Sequence, residues 1–66
     1  MYFNEKLKHL REQNRLTQLQ FAKIINASQS AIARWELGKS EPTVSALIIL
    51  SKFFNETVDY ILGLED

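Results

Sequence analysis

The sequence predicts an all-α domain, a compact bundle of five helices with no sheet. Apolar residues recur at spacings of three and four residues, as they do on the buried stripe of an amphipathic helix. A residue type that caps helix N-termini stands at the start of each of the five stretches. No segment alternates apolar and polar residues over a useful length, which disfavours strands. With a length of 66 residues, we take residues 1–66 as a single domain.

The first helix is predicted to begin at Asn4, a favoured N-cap residue, and to end near Asn14. Its buried stripe would be Phe3, Leu7 and Leu10, which lie three or four residues apart. We therefore expect one amphipathic helix at the start of the chain, packed through that stripe on the rest of the bundle.

The second helix is predicted to begin immediately after Thr17. Thr17 and Gln20 have the spacing of a capping box, in which each side chain binds a backbone N–H of the other residue. Leu16 can pack on Phe21 as a hydrophobic staple. Asn26 tolerates the left-handed conformation that often ends a helix, so we expect the helix to stop one residue earlier.

A third helix is predicted to follow at once, from the N-cap Ser28 to about Leu37, with Gly38 closing it. The connection of about three residues is too short for antiparallel packing, so the two helices should meet at a steep angle. The small Ala22 would allow their backbones to approach. We interpret the pair as a helix-turn-helix whose shared core residues are Phe21, Ile25, Ala27, Ile32 and Trp35.

Two further helices complete the predicted bundle. Thr43 caps a fourth helix that ends before Asn55, and Thr57 caps a short fifth helix that is closed by Gly63. The residues expected to pack inward are Val44, Leu47, Leu50, Ser51, Phe54, Ile61 and Leu62.

Composition excludes several classes of function. The absence of cysteine and the single histidine exclude disulfides and disfavour a zinc site. No glycine-rich phosphate loop or suitably spaced carboxylate pair supports catalysis, so we expect no enzyme, cofactor or metal. The N-terminal segment lacks the pattern of a signal peptide, and no apolar run is long enough to span a bilayer. We therefore expect a cytoplasmic protein without a membrane partner.

The net charge of the chain is zero, but its charged residues are unevenly distributed along the sequence. Residues 15–40 carry four cationic side chains and one carboxylate, a net +3, whereas residues 41–66 carry one lysine and five carboxylates, a net −4. The cationic half contains the helix-turn-helix, so the molecule can orient towards a polyanion. An ordinary solvated surface explains this charge distribution about equally well.

The chain resembles the phage-repressor and Cro-like (XRE-type) helix-turn-helix domains. The resemblance is carried by KLKHLREQNRLTQ, FAKIINASQSAIARWELGKSEP and FFNETVDYILG, and it covers essentially the whole chain. It implies a lambda-repressor-like five-helix fold that binds a near-palindromic double-stranded DNA operator as a homodimer. The third helix would enter the major groove, and the protein would regulate transcription, with repression favoured.

The polar face of the third helix offers the chemistry that reads base edges. Gln29 suits adenine, Ser30 can donate or accept, Ala33 can touch a thymine methyl group, and Arg34 can reach a guanine or a phosphate. The resemblance assigns the reading positions to Ser28, Gln29, Ser30 and Arg34. An ordinary polar helix surface remains the alternative interpretation.

The resemblance also implies supporting roles. It places an ion pair at Arg11 and Glu36, and it makes Gln18 a phosphate contact that braces the third helix, here through Gln29. The helix termini and nearby cations add phosphate contacts. The full set expected to contact phosphates or to brace the reading helix is Arg15, Thr17, Gln18, Lys23, Lys39 and Ser40.

Departures from the family pattern leave a second interpretation open. Asn26 and Asn55 replace glycine without changing the expected fold, whereas Leu37 replaces a residue that lies near phosphates in the family. Glu56 replaces a commonly apolar residue and should loosen the junction between the fourth and fifth helices. Extra apolar residues favour a protein-interaction module of the same fold, such as an antitoxin; they are Leu19, Ile24, Leu37 and Ile49.

The dimer surface and any further partner are the remaining expectations. We place the dimer contacts on the fourth and fifth helices, with Phe53, Tyr60 and Leu64 as candidates. A further protein partner, or a C-terminal domain beyond Asp66, is also compatible with the sequence.

Overall fold

The computed structural model describes residues 2–65, so Asp66, counted above in the acidic segment, lies outside the described residues. Over residues 2–65 the chain forms five α-helices and no strand, which confirms the predicted all-α class. The helices are α1 (Tyr2–Gln13), α2 (Gln18–Ile25), α3 (Gln29–Glu36), α4 (Val44–Phe54) and α5 (Val58–Ile61).

Side-chain caps begin four of the helices, as the sequence predicts. Each capping hydroxyl accepts a hydrogen bond from the backbone N–H three residues later. At α2 the capping box is complete, because Gln20 also accepts the backbone N–H of Thr17 at 2.9 Å. These bonds satisfy N–H groups that would otherwise have no partner within the helix. The capping residues are Thr17, Ser28, Thr43 and Thr57.

Every helix ends in the same way, with one residue in the left-handed region. The N–H after that residue donates to a carbonyl five residues earlier, which is the Schellman pattern. The predicted left-handed conformations of Asn26 and Asn55 are confirmed, with φ of 58° and 55°. α1 ends at Gln13, close to the predicted Asn14, and the left-handed residue that follows it is Arg15, with φ of 57°. The five left-handed residues are Arg15, Asn26, Gly38, Asn55 and Gly63.

One apolar core joins all five helices. The predicted stripe of α1 is buried, and so are the main inward residues of α2 and α3. Ala22 is also buried, as expected for a small residue where two helices cross. The ten core residues are Phe3, Leu7, Leu10, Phe21, Ala22, Ile25, Ile32, Trp35, Leu50 and Ile61.

The helix-turn-helix rests on the other helices through specific contacts. α3 packs against α1 as well as α2, and α2 packs against α4. Phe21 of α2 meets Phe53 and Phe54 of α4, with ring centroids 5.7 and 5.5 Å away. Such aromatic pairs add to the stabilisation that comes from burial alone. The motif is therefore held from two sides, by α1 and by α4.

Two predictions about individual residues are wrong. Asn4 does not cap α1, which already begins at Tyr2, because Phe3 must be helical to share a buried stripe with Leu7. Val44 does not pack inward and is 73% exposed. A step of 100° per residue places it about 120° around α4 from Leu50, whose side chain marks the buried face. No helix within residues 2–65 is long and apolar enough to cross a membrane.

Candidate nucleic-acid interface

The outward face of α3 presents the predicted base-reading residues together. Ser28, Gln29, Ser30 and Arg34 are exposed, and Ala33 is half-buried. Ser30, Ala33 and Arg34 lie on the side of α3 away from Ile32 and Trp35, which anchor the helix in the core. Ser28 and Gln29 lie at the exposed amino end of α3, so four hydrogen-bonding side chains and one methyl group are accessible together. Such a face can read both polar base edges and thymine methyl groups.

Two of the predicted DNA-contacting residues also begin helices. The Ser28 hydroxyl oxygen accepts the N–H of Ala31 at 3.0 Å, and the Thr17 hydroxyl oxygen accepts the N–H of Gln20 at 3.1 Å. A hydroxyl that accepts in a cap keeps its own proton to donate. Each residue can therefore hold its helix in place and still donate a hydrogen bond to an acceptor oxygen outside the protein.

A shielded ion pair fixes the C-terminal end of α3. Arg11 of α1 donates to both carboxylate oxygens of Glu36, at 2.6 and 2.9 Å, and the two side chains are 11% and 4% exposed. The hydrogen bonds to Glu36 raise the pKa of Arg11 against the opposing effect of its burial. Arg11 also donates to the carbonyl of Leu16 at 2.7 Å. One guanidinium thus connects α1, the segment before α2, and α3.

Gln18 braces α3 at a different place from the one expected. Its amide nitrogen donates to Glu36 at 3.1 Å, and within residues 2–65 no side-chain hydrogen bond joins it to Gln29. The expected brace through Gln29 is therefore wrong for this structure. A carboxylate is a stronger acceptor than a neutral amide, and Glu36 is already held in position by Arg11. Gln18 consequently supports the C-terminal end of α3 rather than its amino end.

The cations predicted to contact phosphates are accessible. Arg15, Lys23 and Lys39 are exposed, Ser40 is half-buried, and Arg11–Glu36 is the one ion pair within residues 2–65. The exposed cations therefore keep their charge available for an outside partner. The first N–H groups of α2 and α3, beyond those bound by the caps, add a positive dipole end beside them.

A shallow cavity of about 370 Å³ lies between α1 and α3 and brings in a residue that the sequence reasoning missed. Lys8 lies on its rim, beside Ala33 and Gln18, both of which belong to the predicted interface. The signal was available in the spacing, because Lys8 comes three residues before Arg11 and so shares a face with it. The cavity is lined by Lys8, Arg11, Gln18, Ala33, Glu36 and Leu37.

Comparison with known proteins identifies the family of the chain. The model of the helix-turn-helix family HTH_3 matches residues 7–61. The chain belongs to this XRE-type helix-turn-helix family. The match includes α2, α3, Arg11 and Glu36, and therefore the whole helix-turn-helix predicted from the sequence.

The helix-turn-helix domain is similar in sequence to a transcriptional activator and to an antitoxin. It is 46% identical over 66 residues to the HTH-type transcriptional activator BcrR of Enterococcus faecalis, covering 100% of this chain and 32% of BcrR. It is 35% identical over 57 residues to the antitoxin PezA of Streptococcus pneumoniae, covering 86% of this chain and 36% of PezA.

A crystal structure of a transcriptional regulator from Listeria innocua has the same fold. It superposes with a TM-score of 0.88 at 26% identity and covers 97% of this chain and 60% of that one. The helix-turn-helix domain thus spans about a third of BcrR and of PezA, and somewhat more than half of the Listeria chain.

Proposed function

We propose that this helix-turn-helix domain reads double-stranded DNA as part of a transcriptional regulator, with α3 in the major groove. The observation that carries the proposal is the exposed polar face of α3, held against α1 and α2 by the shielded pair of Arg11 and Glu36. B-DNA has a major groove about 12 Å wide, which admits one helix. A rigid helix with unpaired donors and acceptors on its outer face matches that groove.

Each side chain of the reading face has a chemical assignment. Gln29, at the start of α3, donates to N7 and accepts from N6 of adenine. Ser28 and Ser30 donate to or accept from neighbouring bases or phosphates, and Ala33 contacts a thymine methyl group. Arg34 binds a guanine or the phosphate beside it. The N-terminal half of α3 thus determines which sequence is bound.

Residues around this face bind the sugar–phosphate backbone. Gln18 donates one amide proton to Glu36, and its second amide proton remains available for a phosphate. The backbone N–H groups at the amino end of α2 can bind the same phosphate. The free cations lie before, on and after the motif, so they can contact the DNA strands on either side of the groove. We assign phosphate contacts to Arg15, Thr17, Gln18, Lys23, Lys39 and Ser40. Because few of these are charged, the salt dependence of binding should be modest.

We infer that the domain binds as a homodimer to a near-palindromic operator. Two copies on one face of the duplex place their α3 helices about one turn, or about 10 bp, apart. The proposed dimer surface lies on α4 and α5. Phe53 and Leu64 are exposed there, whereas Tyr60 is half-buried and has the Lys6 ammonium 4.1 Å from its ring centroid.

The sign of regulation follows from where the operator lies. Repression is the expectation carried by the resemblance to phage repressors, and it requires an operator that overlaps the promoter. BcrR is described as an activator, which supports the opposite sign for an operator upstream of the promoter. The test is a reporter gene whose promoter either overlaps the operator or lies downstream of it, with an operator sequence obtained by selecting bound duplexes from a random library. Reporter expression in the two arrangements shows whether the protein represses or activates. We expect repression from the overlapping site, and expression that rises there instead would contradict it.

Selection of bound duplexes from a random library tests DNA reading itself. The duplexes recovered by the helix-turn-helix domain should share a sequence, and they should bind more tightly than random duplexes across a salt titration. A variant with Gln29, Ser30 and Arg34 all changed to alanine serves as the control, since these exposed side chains contribute little to folding. Equal binding of selected and random duplexes even at about 50 mM salt would contradict the proposal.

The second candidate function is a protein-interaction module, such as the antitoxin of a toxin–antitoxin pair. The similarity to PezA favours it. The extra apolar side chains noted in the sequence are also all exposed, with Leu37 the most exposed of them at 66%. Substituting Leu19, Ile24 and Ile49 with serine should abolish binding to such a partner while sparing DNA binding. If these substitutions weaken DNA binding instead, the apolar residues do not form a separate protein-binding surface.

A further inference from the structure

The flank of α1 that faces α3 carries a lysine between two residues with defined contacts. Asn4, Lys8 and Arg11 follow one another at spacings of four and three, so they share one side of α1. A Cβ atom added at Gly38 would lie 3.7 Å from Cγ and Nδ2 of Asn4, which places Asn4 beside the end of α3. Arg11 binds Glu36. Lys8 therefore lies alongside the last turn of the reading helix.

The surroundings of Lys8 are shared with the proposed DNA interface. Lys8 is exposed, has no carboxylate partner within residues 2–65, and lines the shallow cavity together with Gln18 and Ala33. The cavity also contains the carboxylate of Glu36, but Arg11 neutralises it at 2.6 Å. An anion approaching the cavity thus meets one unneutralised charge, the ammonium of Lys8. At this end of α3 the exposed Leu37 offers no side-chain donor.

We propose that Lys8 binds a DNA phosphate and so extends the interface from the helix-turn-helix onto α1. The proposal rests on the DNA-binding function proposed above and adds a cation that neither the sequence motif nor the family match assigns. A lysine acts as a point charge on a long flexible stem, which suits a phosphate at the rim of an open cavity. A phosphate held there would lie beside the strand that Gln18 contacts, and Lys8 and Gln18 would clamp it from two helices.

A structural role for Lys8 gives different results and can be separated by experiment. A cation beside the C-terminal end of α3 can also stabilise that helix through its dipole. Removing that effect would lower the thermal stability of the domain but leave the number of cations released from DNA unchanged. Removing a phosphate contact would instead lower the number of cations released from DNA and leave the thermal stability unchanged. The decisive quantity is therefore the slope of the logarithm of the binding constant against the logarithm of the salt concentration.

The experiment compares Lys8→Gln with Lys6→Gln on the selected duplex and on a random one. Lys6 is a matched control, because it lies two residues away and thus on the opposite side of α1, with its ammonium over the Tyr60 ring. We expect Lys8→Gln to lower the salt slope by about 0.9 per protomer and to weaken binding to both duplexes roughly tenfold per bound protomer at about 0.1 M salt. Lys6→Gln should keep the wild-type slope, and Lys8→Arg should restore it.

The outcomes separate this inference from the proposed function. If the wild-type domain prefers the selected duplex but Lys8→Gln retains the full salt slope, Lys8 binds no phosphate and the proposed function stands. The same conclusion follows if Lys6→Gln lowers the slope as much as Lys8→Gln, because the effect is then one of net charge. If the wild-type domain shows no preference for the selected duplex, the proposed function fails and this inference fails with it. Thermal unfolding of each variant verifies that it is folded.

Discussion

Gln29 is the residue on which direct reading of DNA depends most. It occupies the first position of α3 and is exposed. We predict that Gln29→Ala loses about 1–3 kcal/mol of binding free energy at one base position and leaves the fold intact. Binding measurements on operators with each base changed in turn would show this as lost discrimination at a single position. An equal loss on every sequence would mean that Gln29 reads no base. Gln13→Ala, at the exposed end of α1, is the control.

Arg15 occupies a backbone conformation that its side chain disfavours. Its φ is 57°, a region that glycine adopts freely and that costs most other residues energy. We predict that Arg15→Gly raises the free energy of unfolding by about 0.5–1 kcal/mol, while DNA binding weakens because a phosphate contact is lost. Chemical denaturation and a duplex titration measure the two effects. If Arg15→Gly lowered the free energy of unfolding, the backbone at Arg15 would not be strained. If its affinity for DNA were unchanged, the side chain of Arg15 would contact no phosphate.

The contrast between Arg15 and Asn26 shows what local sequence can predict at a helix end. Asparagine has an intrinsic tolerance of the left-handed region, so the end of α2 was predictable from one residue. Arginine has no such preference. Its conformation at the end of α1 accompanies bonds made by its neighbours, since Arg11 holds the carbonyl of Leu16 and the N–H of Leu16 returns to Arg11. Both bonds are local, but the side chain of Arg11 is also held by Glu36, 25 residues further along the chain, and single-residue propensity does not contain that contact.

At the scale of the helices, Glu36 is the point where three elements meet. It accepts hydrogen bonds from Arg11 of α1 and from Gln18 of α2. We predict that Glu36→Ala destabilises the domain by about 3 kcal/mol, because it leaves the shielded guanidinium of Arg11 without a partner. Chemical denaturation measures the loss. Replacing both residues together, as Arg11→Met with Glu36→Leu, should recover most of it, and failure to recover would show that the pair itself is required.

The ion pair should make little contribution to the pH dependence of stability near neutrality. Pairing with Glu36 raises the pKa of Arg11 in the folded state. The stability that comes from a raised pKa is fully present when the pH is below the pKa of the group in the unfolded protein. It is lost only as the pH rises through the pKa of the group in the folded protein. For arginine both values lie in strongly alkaline solution. Denaturation of the wild type and of the Arg11→Met, Glu36→Leu variant should therefore differ by a constant amount between about pH 6 and pH 9.

The positions of the helices were predictable, but some of the contacts between them were not. Hydrophobic spacing and caps located the helix-turn-helix, because both signals are local. Spacing assigns a side chain to a face without naming its partner there. Spacing predicts an inward Val44, which the structure leaves exposed. The family resemblance predicts that Gln18 pairs with Gln29, whereas its observed partner is Glu36. The proposed phosphate contact of Lys8 could likewise not be predicted from spacing, because it depends on how α1 packs on α3.

At the scale of the whole molecule, the proposed dimer makes a geometric prediction about its operator. Two α3 helices related by a twofold axis should protect two half-sites of inverted sequence, with centres about 10 bp apart. Hydroxyl-radical footprinting on the selected duplex would reveal the symmetry and the spacing. A footprint over one half-site with no symmetry would contradict dimeric binding. Inserting about 5 bp between the half-sites should turn them to opposite faces and abolish tight binding.

The distribution of charge over the molecule supports one orientation on DNA. The segment with net +3 contains the reading helix, whereas the segment with net −4 contains α4 and α5. DNA should therefore meet α2 and α3 and stay clear of the outer face of α4, even though the chain has no net charge. The exposed Val44 and Ile48 on α4 mark the face that should remain free.

Chemical-shift mapping with the selected duplex tests the central claim most directly. Backbone amide resonances of the isotope-labelled domain would be followed as the duplex is added. The predicted result is that the largest changes fall on residues 28–34 and on the amino end of α2, with smaller changes at residues 39 and 40. Amides around residues 44 and 48 should change little. Changes concentrated around residues 44 and 48, or no changes on α3, would contradict the account that the outward face of α3 reads DNA.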